Sequence, residues 1–132
     1  MKAIINIDGA SRGNPGPSAI GIIFRYDNGK TLSTISKAIG LGTNNQAEYR
    51  AIITALEQAK LRGYESIEVR SDSELLVKQL TGKYRVKSPG LIPLFDQTIK
   101  LRNEFNTFKI KHIPREQNRE ADDLANKAFA PR

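Results

Sequence analysis

The run Lys2-Ala3-Ile4-Ile5-Asn6-Ile7-Asp8 constrains this chain more than any other segment. It is nearly all apolar, as a strand covered on both faces must be. It ends in Asp8, a carboxylate expected at the tip of a buried strand. Such a group is costly unless a cation or a donor compensates it. A second strand-like run, Ser66-Ile67-Glu68-Val69-Arg70-Ser71-Asp72, ends the same way. Two acids at two strand tips point to a bound divalent metal.

The 132 residues fit one domain, residues 1–132. A chain of this size buries roughly two thirds of its unfolded surface, enough for an independent core. That core needs no disulfides, and the chain has no cysteines, which permits a reducing compartment. Neither an N-terminal apolar stretch of signal-peptide type nor a long apolar span is present. A cytoplasmic monomer with no membrane partner is therefore expected. The net charge of +7 favours a polyanionic partner. The basic excess is regional: between Lys78 and Arg115 the only acids are Asp96 and Glu104. The candidate metal acids lie mostly elsewhere. A nuclease needs this division, with cations to hold phosphates and acids to hold a metal.

Local signals give the order βββαβααβα. The first strand spans Lys2 to Asp8. The segment Gly9 to Pro17 is rich in glycine and proline and reads as a loop. A second strand, about Ser18 to Tyr26, and a third, about Lys30 to Ile39, flank the hairpin signal Asp27-Asn28-Gly29. Thr43-Asn44-Asn45-Gln46 fits a capping box opening a helix. This helix runs to about Arg62 and stops at Gly63. A fourth strand covers Ser66 to Ser71. Ser73 caps a short helix through Leu80, stopped by Gly82. Leu91 to Phe105 follows helical spacing, Thr107 to Ile113 reads as a fifth strand, and Asn118 starts a last helix. The fold class is α/β: a five-stranded mixed sheet in the order 3-2-1-4-5 with helices on both faces.

This arrangement brings four acids to one end. Asp8 and Asp72 terminate neighbouring strands. Glu48 lies one turn before Ile52 on the apolar stripe of its helix. Asp122 shares a helix face with Asn118, Ala125 and Phe129, whereas Asp123 shares one with Lys127. Each acid alone has an ordinary reading. Asp72 serves as a cap, and Glu48 and Asp122 as acids near helix N-termini. Together they suit hard cations, which need oxygen ligands and open positions for water and phosphate.

Four segments, Ile7-Asp8-Gly9-Ala10-Ser11-Arg12-Gly13-Asn14-Pro15-Gly16, Thr43-Asn44-Asn45-Gln46-Ala47-Glu48, Ser71-Asp72-Ser73 and Asn118-Arg119-Glu120-Ala121-Asp122-Asp123-Leu124-Ala125, in this order, resemble type 1 ribonuclease H. The resemblance spans almost the whole chain. It implies the ribonuclease H-like fold and hydrolysis of the RNA strand of RNA/DNA hybrids, giving 3′-OH and 5′-phosphate ends. It also implies two Mg2+ ions per site with substrate, Mn2+ being an alternative, held by the catalytic acids Asp8, Glu48, Asp72 and Asp122. Substrate contacts are expected from Gly9, Ser11, Arg12, Gly13 and Asn14, and from Thr43, Asn44 and Asn45. Capping and turn formation account for several of the same residues.

The chain departs from some members of that family. Only Thr81 to Gly90 separates the two middle helices, and there is no tryptophan. The basic protrusion of larger enzymes is thus not expected, nor is an N-terminal hybrid-binding module. Lys83, Arg85 and Lys87 are expected to replace part of the protrusion's grip. The single histidine, His112, reads as a half-buried strand residue. Arg115 and Glu116 remain open as its substitutes beside the last acid. Two other functions compete. One is a nucleic-acid-binding module that kept the fold and lost catalysis. The other is a proofreading exonuclease or transposase of the same broad fold; such exonucleases carry Asp-x-Glu on the first strand, where this chain has Gly9 and Ala10 after Asp8.

Overall fold

The apolar run at the start folds as predicted, as the central strand of a sheet. The computed structural model describes residues 2–129. Its elements are β1 (Lys2–Ser11), β2 (Gly16–Tyr26), β3 (Thr31–Gly42), α1 (Asn44–Leu61), β4 (Ser66–Ser71), α2 (Glu74–Leu80), α3 (Ile92–Arg102), β5 (Thr107–His112), a 3-10 turn (Arg115–Gln117) and α4 (Arg119–Ala128). The sheet order is β3-β2-β1-β4-β5. β1 and β2 pair antiparallel, as do β2 and β3, while β4 runs parallel to both β1 and β5. Among the described residues no helix is long and apolar enough to cross a membrane.

Strand alternation sorts the side chains. Ala3, Ile5 and Ile7 of β1 join Ile20, Ile22 and Phe24 of β2 in one core, against Ile52, Ala55 and Leu56 of α1. Asn6 and Asp8 therefore project toward the opposite face, where α4 packs on β2 and β1. Helices thus cover both faces, and the core sits mainly on the α1 side.

The local stop and start signals hold. Thr43 Oγ1 accepts from the Gln46 N–H at 3.1 Å, and Gln46 Oε1 accepts from the Thr43 N–H at 3.0 Å, closing the capping box. Gly63, with φ of +79°, ends the run after α1. Ser73 caps α2 by accepting from the Leu76 N–H at 3.2 Å.

Some boundaries move. β1 does not stop at Asp8 but continues to Ser11, with Gly9 paired to Ile20 and Ser11 to Ser18. The loop predicted over Gly9 to Pro17 shrinks to Arg12–Pro15. β2 lies alongside and supplies the partners that the composition of this segment does not advertise. β3 likewise extends to Gly42. α3 ends at Arg102, and Phe105 enters the core from the turn that follows.

Candidate active site

Asp8 stands inside β1 but beyond the end of its neighbour. In the parallel register Ile7 pairs with Ser71, the last residue of β4. One step further, Asp8 and Asp72 lie where the β4 ladder has ended and the sheet narrows. The tip that matters belongs to β4, not to β1.

Two glycines bring helices down onto this point. A Cβ on Gly9 would lie 2.3 Å from the backbone C and O of Ala47. Its absence lets α1 reach the β1 backbone, and the Gly9 N–H donates to Glu48 Oε1 at 2.7 Å. On the other face, a Cβ on Gly21, the residue paired with Asp8, would lie 2.0 Å from the Ala121 carbonyl oxygen. α4 therefore rests directly on β2 and carries Asp122 to the same edge.

Carboxylate oxygens of Asp8, Glu48 and Asp72 lie within 4.8 Å of one another. Asp122 joins them on the wall of a cavity of about 380 Å³, with Ala10, Asn44 and Arg115. Burial, then the charge of Asp72 and contact with Asp122, push the Asp8 carboxyl up to about 8, against the opposing pull of Arg115. Glu48 is raised well above the usual carboxylate range by burial and by Asp8 and Asp72, although the Gly9 N–H opposes this. Buried acids crowded toward protonation form a site that a hard cation relieves, and an all-oxygen donor set suits Mg2+ or Mn2+. A larger cavity of about 580 Å³, between Leu80, Phe105, Phe108 and Ile110, holds no acids.

This crowding has a consequence for stability. The Asp8 carboxyl moves from an ordinary 3.8 to about 8 in the fold, so the native state holds a proton that the unfolded chain releases. Its contribution to stability is full below about pH 4 and is lost as pH climbs toward 8. In EDTA, Asp8→Asn should therefore raise the melting temperature at about pH 8 by at least roughly 5 °C and change it little near pH 4. Thermal melts across that range check this; equal melting of both proteins at the upper end would contradict it.

Asp122 is half-buried at the edge of its helix rather than on the sheet-facing stripe. Ala121 and Ala125, both fully buried, make that stripe. His112 is exposed, not half-buried, and its Nε2 lies 3.3 Å from the Asp72 carbonyl oxygen. The residue that reaches the acid cavity is Arg115.

The other predicted contact residues fall into two groups. Asn14 Oδ1 accepts from the Asn44 N–H at 2.9 Å, and Asn44 Oδ1 accepts from the Ser11 N–H at 2.8 Å. The Ser11 hydroxyl donates to the Gly42 carbonyl at 2.8 Å. These bonds lock the 12–15 loop, where Gly13 takes φ of +100°, to the start of α1. They leave the amide nitrogens of both asparagines free of the clamp. A shallow cavity of about 330 Å³ beside it is lined by Asn14, Thr43, Asn45 and Ser88. The Arg12 guanidinium lies 4.3 Å above the Phe129 ring, which fixes it near the end of α4. Lys83, Arg85 and Lys87 are exposed on the segment between α2 and α3. That segment approaches α1 through Gln46 Nε2 and the Gly90 carbonyl, at 3.4 Å.

The sequence reading missed Asn6 and Asn118, both buried within this site. Asn118 donates to Asp72 Oδ2 at 3.3 Å and accepts from Asn6 at 3.0 Å. The motif signal placed Asn118 only as a helix start.

Comparison with known proteins places the chain. The family described as reverse transcriptase-like matches residues 6–128. A ribonuclease HI from Halobacterium salinarum is 46% identical over 122 residues, covering 92% of this chain and 61% of that protein. A bifunctional protein from Mycobacterium tuberculosis is 41% identical over 98% of this chain, which spans 36% of its length. The chain thus covers less than two thirds of these relatives. The crystal structure of the Halobacterium salinarum RNase H1 matches with a TM-score of 0.95, 43% identity and 98% coverage of each chain. LC11-RNase H1, crystallised with an RNA/DNA hybrid, matches with a TM-score of 0.91, 43% identity and 96% coverage of each.

Proposed function

We propose that this chain, which belongs to the type 1 ribonuclease H family, hydrolyses the RNA strand of RNA/DNA hybrids as one catalytic domain. The observation that carries the reading is the convergence of Asp8, Glu48 and Asp72 within 4.8 Å, with Asp122 on the same cavity wall. That the related LC11-RNase H1 was crystallised with an RNA/DNA hybrid supports the substrate.

Asp8, Glu48, Asp72 and Asp122 would hold two Mg2+ ions. When bound, these supply Lewis acidity at the scissile phosphate and lower the pKa of a coordinated water. The chain's own residues set the geometry. The Gly9 N–H fixes one oxygen of Glu48. Arg115 offers a guanidinium beside the acids, suited to a phosphate oxygen. Asn14, Asn44 and Asn45 present amides to the sugar edges of the minor groove, where a 2′-OH both donates and accepts. Water attacks phosphorus, the bond to O3′ breaks, and O3′ gains a proton, leaving 3′-OH and 5′-phosphate ends.

The test is cleavage of an end-labelled hybrid in Mg2+, Mn2+ and EDTA. Cutting of the RNA strand alone, abolished by EDTA, is expected. Tight hybrid binding with no cleavage in either metal would instead make this a binding module that has lost catalysis.

The grip on the hybrid should be electrostatic and blind to sequence. Lys83, Arg85 and Lys87 are exposed on a segment that Val86 and Leu91 anchor to the core. Replacing all three with Ala should weaken binding equally across sequences. The slope of log affinity against log salt should fall by roughly two to three, about one per lost phosphate contact. An unchanged slope would place the phosphate grip elsewhere.

A further inference from the structure

Asn118 occupies the N-cap position of α4 yet makes no side-chain cap bond. A cap asparagine ordinarily turns its oxygen toward the first free N–H groups of its helix. Here the side chain points inward and is 1% exposed. Its Nδ2 donates to the Ile7 carbonyl at 2.8 Å and to Asp72 Oδ2 at 3.3 Å. Its Oδ1 accepts from Asn6 Nδ2 at 3.0 Å. Asn6 Oδ1 in turn accepts from Arg25 Nη1 at 3.1 Å, and Arg25 is paired with Glu120 of α4.

The direction of this chain of bonds is fixed from one end. An asparagine can turn either its oxygen or its nitrogen toward a neighbour, but a guanidinium only donates. Arg25 therefore obliges Asn6 to face it with oxygen, which turns the Asn6 nitrogen toward Asn118. Asn118 must then accept from Asn6, so its nitrogen faces Asp72 and the Ile7 carbonyl. At the far end both groups are acceptors, so the two ends agree.

We infer that Asn118 is a positioning residue for Asp72, oriented through Asn6 by Arg25. The one-way run of amides holds the Asp72 carboxylate at the angle the acid cluster needs. This rests on the reading of that cluster as a divalent cation site. Asp72 needs such help because it follows the last residue of β4, where the ladder no longer restrains it. The alternative is that Asn6 and Asn118 only satisfy each other between β1 and α4. That alternative predicts lost stability without a specific effect on the cation.

The test uses Asn118→Ala and Asn6→Asp in the full chain. The first removes the donor to Asp72. In the second, the carboxylate still accepts from Arg25 but cannot donate to Asn118. The Asn118 amide is then expected to turn over and present oxygen to Asp72. Asn6 has no hydrogen bond to Asp72, and the added negative charge by itself would favour a cation, so a loss of cation affinity in this variant must pass through Asn118. Three quantities are read: Mn2+ affinity by calorimetry without nucleic acid, kcat and KM on a hybrid, and melting temperature. Both variants should lose roughly 10–100-fold in Mn2+ affinity and in kcat, with KM for hybrid held within about twofold. Parental Mn2+ affinity and kcat in a folded Asn6→Asp protein would overturn the inference, whatever its melting temperature. Should Asn118→Ala fail to fold, Asn6→Asp decides alone, since its bond to Arg25 is kept. If the parent chain binds Mn2+ but cuts no hybrid, the nuclease reading falls, while the Mn2+ titration still judges the positioning role.

Discussion

Asp72→Asn is expected to reduce hybrid cleavage by well over a hundredfold while the chain still folds. Removing a group that merely orients a metal ligand costs roughly 10–100-fold, so loss of a ligand's charge should cost more. The amide keeps the size of the side chain, so packing changes little. It replaces one carboxylate oxygen with a nitrogen that hard cations do not accept as a ligand. Stability should not suffer, because Asp72 is one of the charges that burden Asp8 and Glu48. In EDTA the variant should melt at or above the parental temperature. Hybrid binding should persist, since the exposed lysines and the asparagine clamp are untouched. Single-turnover cleavage, binding and thermal melts on one preparation check all three. Cleavage at the parental rate would remove Asp72 from the metal site and the two-metal reading with it.

Much of this fold is written in local signals. The capping box at Thr43, the cap at Ser73 and the glycine stops each depend on neighbours within a few residues, so sequence displays them. The sheet order follows because short turns force antiparallel pairing and helical crossovers force parallel pairing. What failed depends on pairing across a turn and not on each residue's immediate neighbours. β1 runs through Gly9 and Ala10 to Ser11 because β2 pairs with all three. No local preference in a Gly-rich stretch would reveal that pairing. The three residues it adds to β1 also set Asp8 within a strand instead of at its tip.

The same distinction divides the site. Four acids of one charge at four places are conspicuous, and all four come to one edge. The glycines that deliver them are not, because a missing Cβ is meaningful only once Ala47 and Ala121 are known to press there. Asn118 and Asn6 are hidden for a related reason. An asparagine before a helix has a sufficient local explanation as a cap, and that explanation is wrong here. For His112 the sequence offers strand alternation alone. Alternation gives a face, but β5 is an edge strand and that end of its face lies open.

Cutting should be confined to RNA, with selection made by the 2′-hydroxyls and not by the bases. The clamp of Ser11, Asn14 and Asn44 uses side-chain oxygens internally and leaves the Asn44 amide nitrogen available on the acid cavity and that of Asn14 on the shallow cavity next to the clamp. A ribose hydroxyl can accept from such a donor and can donate to a nearby backbone carbonyl; deoxyribose can do neither. A site built to bond a hydroxyl rejects an analogue lacking it far more strongly than an apolar pocket rejects a change of size, because its polar groups are left unpaired. Duplex DNA should therefore be cut at least about a thousandfold more slowly than hybrid under the same Mg2+. The sharper test is a hybrid whose RNA strand carries 2′-deoxy residues around one phosphate. That phosphate should resist while phosphates a few nucleotides away are cut at the ordinary rate, giving a gap in the product ladder. Changing the bases at the same position without removing hydroxyls should leave no gap. Equal cutting at the substituted phosphate would mean that strand choice comes from helix geometry, and the asparagine clamp would then be a structural tie alone.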